Sequence, residues 1–354
     1  MNFPSHNCLL FLVTCFIFTS CTKSTNSSGT KTDTTKSTTT DTTIYIAGNN
    51  GTNPILWKNG TADTLSTTIG SASQVIVSGN DVYVGGISQG NQNIYSSPVL
   101  NGPLTGQYGY WKNGVQNNIG SIENIGPPPS ISLGGNNVYY SNGSAWENGT
   151  IITLPNQDSG SVQSIFASGN DIYAAGYDSA RDAVYWKNGQ LNIVSAFQGH
   201  GYTTPLVYCI AVSGSDVYVG GMYNQAAFWK NGVINYLQYT TNGSFVSYIS
   251  SLLLSGNDVY ATGHLIGTNL GAAYWKNGIE NDLQISGAAN GNTTYTTTSI
   301  FLDGLDVYVA GYTSTFVQVS TTYLDSAVYW KNGVEINLKS SGIANSIYVQ
   351  KTTN

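Results

Sequence analysis

Side chains able to carry acid–base, nucleophilic or metal chemistry are scarce in these 354 residues, and their positions narrow what they can do. Of three histidines, His6 falls within residues 1–20, read below as a signal peptide, which leaves His200 and His264 and excludes a multi-histidine metal site. Arg181 is the single arginine, so no arginine cluster can gather a carboxylate-bearing substrate. No Gly-x-Ser-x-Gly elbow, EF-hand loop or phosphate-binding loop occurs. Two carboxyls at a suitable separation would suffice for glycoside hydrolysis, and Asp178 with Asp182 or Asp325 could supply them from loops. Nothing beyond that loop position recommends them. The reading is therefore non-enzymatic, with no metal and no cofactor.

The elements that would carry such residues are short strands. Charged residues make up 8% of the chain, Gly numbers 41 and Tyr 25, a composition of tight turns and pleated surfaces rather than long helices. The net charge of −6 excludes a nucleic-acid partner and gives no affinity for an anionic membrane surface.

Three motifs recur seven times each. Trp57, Trp111, Trp186, Trp229, Trp275 and Trp330 precede Lys-Asn-Gly, and Trp146 precedes Glu-Asn-Gly, which uses all seven tryptophans. A second motif resembling Asp-Val-Tyr-Val-Gly-Gly is centred on Tyr45, Tyr83, Tyr139, Tyr173, Tyr218, Tyr260 and Tyr308. The third is an apolar run, from Val75–Val77 in its first copy to Ile347–Val349 in its last. Each unit reads as four antiparallel strands, the third and fourth joined by an Asn-Gly hairpin. The expected fold is all-β, a seven-bladed β-propeller. Its repeat opens on a second strand at Ile44 and closes on a lone first strand at Ser346–Gln350, so the C-terminal strand is expected to complete the first blade.

The Gly-Gly pairs Gly85-Gly86 and Gly220-Gly221, with a Tyr and a Trp in every unit, resemble kelch repeats. The adjacent Tyr110-Trp111, Tyr185-Trp186, Tyr274-Trp275 and Tyr329-Trp330 depart from the kelch spacing, and the marks of WD40 repeats are absent. The resemblance implies the propeller and assigns no ligand.

Before the repeats lies an apolar run, Cys8 to Ser20, of the length of a secretory h-region. Its end, Phe18-Thr19-Ser20-Cys21, resembles the lipobox of bacterial lipoproteins, which implies a signal peptide over 1–20 and lipidation of Cys21. The alternative is a plain signal and a soluble secreted protein. Residues 21–43 form a Ser/Thr-rich tether, and 44–354 the propeller. A flexible tether of this length reaches about 25–30 Å. The expected location is the cell envelope, with membrane attachment through the lipid alone and a monomeric propeller. Cys209, inside an apolar run, reads as a small buried hydrophobe.

Function is expected where the repeats differ. The repeated tryptophans read as packing residues, the turn aspartates Asp81, Asp171, Asp216, Asp258 and Asp306 as acceptors of local backbone bonds, and the motif lysines as solvated charges at separate hairpin tips. The links between second and third strands, and between fourth and first, vary and share one end of the blades. Candidate ligand-binding residues there are Asn49, Tyr177, Arg181, His200, Tyr202, Met222, Tyr223, His264, Tyr312 and Tyr323. Tyrosines with amides and few charges suit sugar rings, so the expected ligand is a glycan or a protein partner. A structural or assembly scaffold for an envelope complex is the other reading.

Overall fold

The computed structural model describes residues 40–90, 106–122, 128–197, 205–238, 244–267, 271–286, 293–318 and 322–353. The expected signal peptide and Cys21 lie outside them. Among the described residues there are strands and no helix.

Strands follow in chain order as β1 (Thr40–Asn49), β2 (Pro54–Lys58) and β3 (Thr61–Thr64), then β4 (Ile69–Ser78), β5 (Asp81–Gly90), β6 (Gly106–Lys112) and β7 (Val115–Ile122). Next come β8 (Ser130–Gly134), β9 (Asn137–Ser141), β10 (Ala145–Glu147) and β11 (Thr150–Ile152), and β12 (Ser161–Ser168), β13 (Asp171–Tyr177), β14 (Ala183–Lys187) and β15 (Gln190–Ser195). They continue with β16 (Leu206–Ser213), β17 (Asp216–Tyr223), β18 (Gln225–Lys230) and β19 (Val233–Tyr236), and with β20 (Ser244–Ser255), β21 (Asp258–Gly267), β22 (Ala272–Lys276) and β23 (Ile279–Leu283). The last are β24 (Thr293–Asp303), β25 (Asp306–Val317), β26 (Thr322–Lys331), β27 (Val334–Ser341) and β28 (Ile343–Thr353).

All pairing is antiparallel, in five sheets of four strands and one of eight. The eight-stranded sheet is two four-strand sets, β20–β23 and β24–β27, joined at the single pair His264↔Thr296. The last strand, β28, pairs with β1 from Thr40↔Thr353 to Asn49↔Ile343, giving the order β28-β1-β2-β3. Strand β1 therefore begins four residues before the expected Ile44, because the far end of β28 gives Thr40–Thr43 a partner. First strands of successive sets pack side by side, β4 by β8, β8 by β12, and on through β24 by β28 and β28 by β4.

Local chemistry explains the repetition. The Asn-Gly hairpins adopt positive φ at both central residues, as at Asn113 (φ 51°) and Gly114 (φ 80°), the geometry whose twist matches the flanking strands. The motif tryptophans of β2, β6, β14, β18, β22 and β26 are all at most 2% exposed, between neighbouring sets. Trp186, Trp275 and Trp330 donate their indole N–H to Pro155, Gln238 and Gln284 carbonyls in the preceding set, at 2.9, 2.6 and 2.7 Å. Trp146, on the three-residue β10, is half-buried.

First strands carry a recurring β-bulge, placed at Ser73, Gln163, Tyr208, Ser250 and Thr298. Asn345 is the matching extra residue of β28. A β-carbon at Gly176 or Gly221 would collide with the Ser161 or Leu206 carbonyl, and at Gly311 with both Thr296 and the Trp330 ring. The bulge and the indole thus explain why a glycine recurs in the second strand. Bulged side chains also stitch one set to the next. Thr298 Oγ1 donates to Ala344 O (2.7 Å), Asn345 Nδ2 to Ala72 O (2.8 Å) and Ser73 Oγ to Pro129 O (2.6 Å).

Beside the bulges, hydroxyls accept backbone N–H groups of the following set, as Ser299 does from Ile347 (3.4 Å) and Ser346 from Val75 (3.2 Å). Cys209 occupies this position in β16. Its sulfur bonds the Gly220 and Leu252 backbone, and burial pushes the thiol up to about 12. It is a hydrogen-bonding member of the stitch as well as a packing residue.

Candidate functional site

The two ends of the sheets differ, and the uniform end refines two expectations. The turn between first and second strands and the Asn-Gly hairpin between third and fourth lie together. Lys112 pairs with Asp81, Lys187 with Asp171, Lys230 with Asp216 and Lys276 with Asp258, each at 2.8 Å, and Lys331 with Asp306 at 3.2 Å. The other carboxylate oxygen accepts from the hairpin asparagine, for example Asn277 Nδ2 to Asp258 at 2.8 Å. That asparagine's Oδ1 accepts the next backbone N–H, Val259 at 2.9 Å. Each ammonium also lies over the second-strand tyrosine, Lys276 at 5.2 Å from the Tyr260 centroid.

Five of the six motif lysines are thus paired with the turn aspartates in one clasp while both partners stay exposed, and Lys58 lies over the Tyr45 ring. The clasp holds all five aspartates below their usual 3.8, the lysine hydrogen bond coming first at four and the asparagine bond first at Asp306. In the β8–β11 set the two letters change together. Glu147 stands in the lysine position and Asn137 in the aspartate position, and the pair survives as Asn137 Nδ2 donating to Glu147 at 2.6 Å.

The opposite end varies, and the structure sorts the predicted residues there. Asn49 is 3% exposed, with its amide donating to Ser71 Oγ (3.0 Å) and accepting from Gly51 N (2.9 Å). It belongs to the seam between β1 and β4 rather than to a ligand surface. The Tyr177 hydroxyl accepts from Val207 N (2.7 Å) and donates to Val207 O (3.2 Å), tying β13 to β16. Burial raises its pKa and fixes it as neutral structure. Met222 is half-buried at the end of β17, while Tyr223 packs against the same core cluster as Tyr177. The link after β17 is a tight turn at Asn224 rather than a long loop. Arg181 is exposed in the turn after β13, at φ 68°. Tyr323 is 64% exposed on the projecting β25–β26 hairpin, its ring 5.1 Å from Phe316. His200 and Tyr202 lie outside the described residues.

The acids considered for glycoside chemistry are held by backbone. Asp178, 4% exposed, accepts from Ala180 N (2.9 Å) and Asp182 N (3.0 Å), and Asp182 accepts from Phe197 N (2.7 Å). They shape the loop after β13.

His264 and Tyr312 are brought together, with three residues that sequence reasoning missed. Tyr208 lies 4.8 Å from Tyr248, and Tyr248 stacks on His264 at 5.8 Å with planes 25° apart. His264 Nδ1 is 3.3 Å from Thr296 Oγ1, and Thr296 pairs across the ladder with Tyr312. These residues sit where β16, β20, β21, β24 and β25 approach the variable end, all half-buried except the buried Thr296. A partial signal for them existed: Tyr208 stands in the bulge column, where β4, β20 and β24 carry Ser73, Ser250 and Thr298, and Tyr248 lies two residues before that column.

Burial governs the electrostatics of this row. It pushes Tyr248 up to about 12 and raises Tyr208 and Tyr312, with Asp325 adding to the rise at Tyr312. Burial lowers His264, which is neutral at pH 7. The result is an uncharged aromatic platform with hydroxyls at its edges and one acid, Asp325, beside it. Among the described residues no group of three His, Cys, Asp or Glu is placed to hold a metal ion.

No family model matches the chain, and no curated protein matches it. Among solved structures it is similar to the computationally designed Ika8 protein, at 13% identity and TM-score 0.39 over 80% of this chain and 96% of that one. It is also similar to apo AztD from Citrobacter koseri, at 10% identity and TM-score 0.41 over 89% of this chain and 99% of that one.

Proposed function

We propose that the four-strand sets are the blades of a closed seven-bladed β-propeller, exported on residues 1–20 and anchored by a lipid on Cys21, that binds a glycan at its variable end without turning it over. Closure is supported by the unbroken succession of first strands, in which β28 packs between β24 and β4. Both of its flanks also carry bulge hydrogen bonds.

The binding reading rests on one observation, the half-buried Tyr208–Tyr248–His264–Tyr312 row. Sugar rings present apolar faces that stack on aromatic groups and hydroxyls that bond at the ring edges.

A glycan array probed with the wild-type chain and with Tyr248→Ala and Tyr312→Ala tests this. Binding to a restricted set of glycans, reduced roughly five- to tenfold in both variants, is expected from stacking contacts of about 1–1.5 kcal/mol each. Binding that ignores both changes refutes the assignment. Stoichiometric capture of one protein would favour the protein-partner reading. Palmitate labelling of the chain in cells, lost in Cys21→Ser, tests the anchor.

A further inference from the structure

The β8–β11 set lacks two groups that its neighbours share. In four sets the second-strand tyrosine faces an aromatic ring one residue before the motif tryptophan. These pairs are Tyr83–Tyr110, Tyr173–Tyr185, Tyr218–Phe228 and Tyr260–Tyr274, with centroids 6.1–6.5 Å apart. In six sets the same tyrosine also carries a lysine ammonium 5.1–5.7 Å from its ring centroid. Tyr139 has neither among the described residues. The ring position holds Ala145, and the ammonium position holds Glu147.

The missing ring leaves a space. Between this set and β12–β15 lies a partly open cavity of about 150 Å³, walled by Tyr139, Ala145, Ile152, Ile165 and Trp186 with Glu147 at its rim. An apolar cavity of that size accommodates a benzene-sized ring. Its lining is more apolar than the repeat requires. The residue paired with Ala145 is Ile152, where four other sets place Asn117, Asn192, Asn235 and Asn281. The Trp186 wall is held by its N–H bond to Pro155 O at 2.9 Å. Glu147 accepts from Asn137 Nδ2 and Tyr139 Oη, and among the described residues no cation pairs with it.

We propose that this cavity is a binding site for a small aromatic amine, a single ring bearing an ammonium on a short alkyl arm. The ring takes the volume that tyrosine fills in the other sets, and the ammonium meets Glu147 beside the Tyr139 face. Such a ligand restores from outside both groups that Ala145 and Glu147 remove. The site lies between two sets near their clasp end and is independent of the aromatic row at the variable end.

Tyramine is the probe and p-cresol its neutral counterpart, followed on the full chain through the Ile152 and Ile165 methyl resonances and by calorimetry. Tyramine is expected to bind one site with a dissociation constant of roughly 1 mM or tighter, on the efficiency of small ligands. p-Cresol should bind about fivefold more weakly or worse, the loss of a half-exposed cation contact. Glu147→Gln should erase that difference. Ala145→Tyr, which restores the ring of the other sets, should abolish binding of both, while Tyr312→Ala should leave it unchanged. If Ala145→Tyr does not fold, Ala145→Leu, the residue that β2 carries at Leu56, should give the same loss. The proposal is overturned if tyramine produces no methyl shifts, if p-cresol binds as tightly, or if binding survives the cavity-filling change.

Discussion

The two ends of the same strands obey different rules. At the hairpin end, five sets repeat one arrangement of Asp, Lys, Asn and Tyr to within 0.4 Å in the ion pair. A sixth reaches the same pairing with the letters exchanged at Asn137 and Glu147. At the other end the described residues take different roles from set to set. Asn49 closes a seam, Tyr177 grips a neighbouring backbone, and His264 stacks in an aromatic row. Repetition therefore marks what each unit needs to stand beside the next, and divergence marks what a single unit does alone. The β8–β11 set is instructive because its divergence, at Ala145, reaches into the otherwise uniform half.

Removing Ile343–Asn354 is the most severe way to break this comparison. It takes β28 from the edge of β1 and from between β24 and β4, and cooperative unfolding monitored by circular dichroism should disappear. Next in size, Trp330→Ala should lower the stability measured in urea by about 3–5 kcal/mol, as for a large side chain lost from a packed core. Trp146→Ala, at a half-buried indole on a short strand, should cost roughly 1–2 kcal/mol. Equal losses would mean that the divergent set is packed like the rest.

Smaller effects should separate the ends by pH. His264 binds its proton less readily when folded than unfolded, so its contribution to stability is complete above its ordinary 6.5 and is lost as pH falls through its lower folded value. Unfolding temperatures of wild type and His264→Gln measured downward from pH 6.5 should differ in slope, with the variant flatter. The clasp aspartates are lowered too, so their contribution is present above 3.8 and fades only in stronger acid. Replacing Lys276 by Met should flatten that acid limb slightly and leave the neutral-pH value almost unchanged, since both partners are exposed.

Much of the architecture could be read from the chain because each unit repeats its own punctuation: Trp-Lys-Asn-Gly marks a hairpin and Asp-Val-Tyr a strand start. Four-stranded antiparallel sets and the pairing of β28 with β1 follow those marks. The clasp could not be read, because Asp81 and Lys112 meet only when two turns, one from each hairpin, arrive at the same end. The bulges were equally hidden. A single extra residue in β4 or β16 leaves the hydrophobic run intact while turning one side chain toward the next set. Asn49 and Tyr177 stand at strand ends that look accessible in the sequence until the neighbouring set supplies Ser71 and Val207. Ala145 was visible all along, as the small residue in a column of Tyr, Phe and Leu.

The pairing of first and last strands has a mechanical side. A pull on the segment preceding Thr40 is delivered along the axis of β1, which β28 holds over its whole length and β2 grips from Tyr45 onward. Load in that direction shears two ladders at once instead of peeling one. Thr40 is thus held with the collective strength of a strand in mid-sheet, which a strand at a sheet edge lacks.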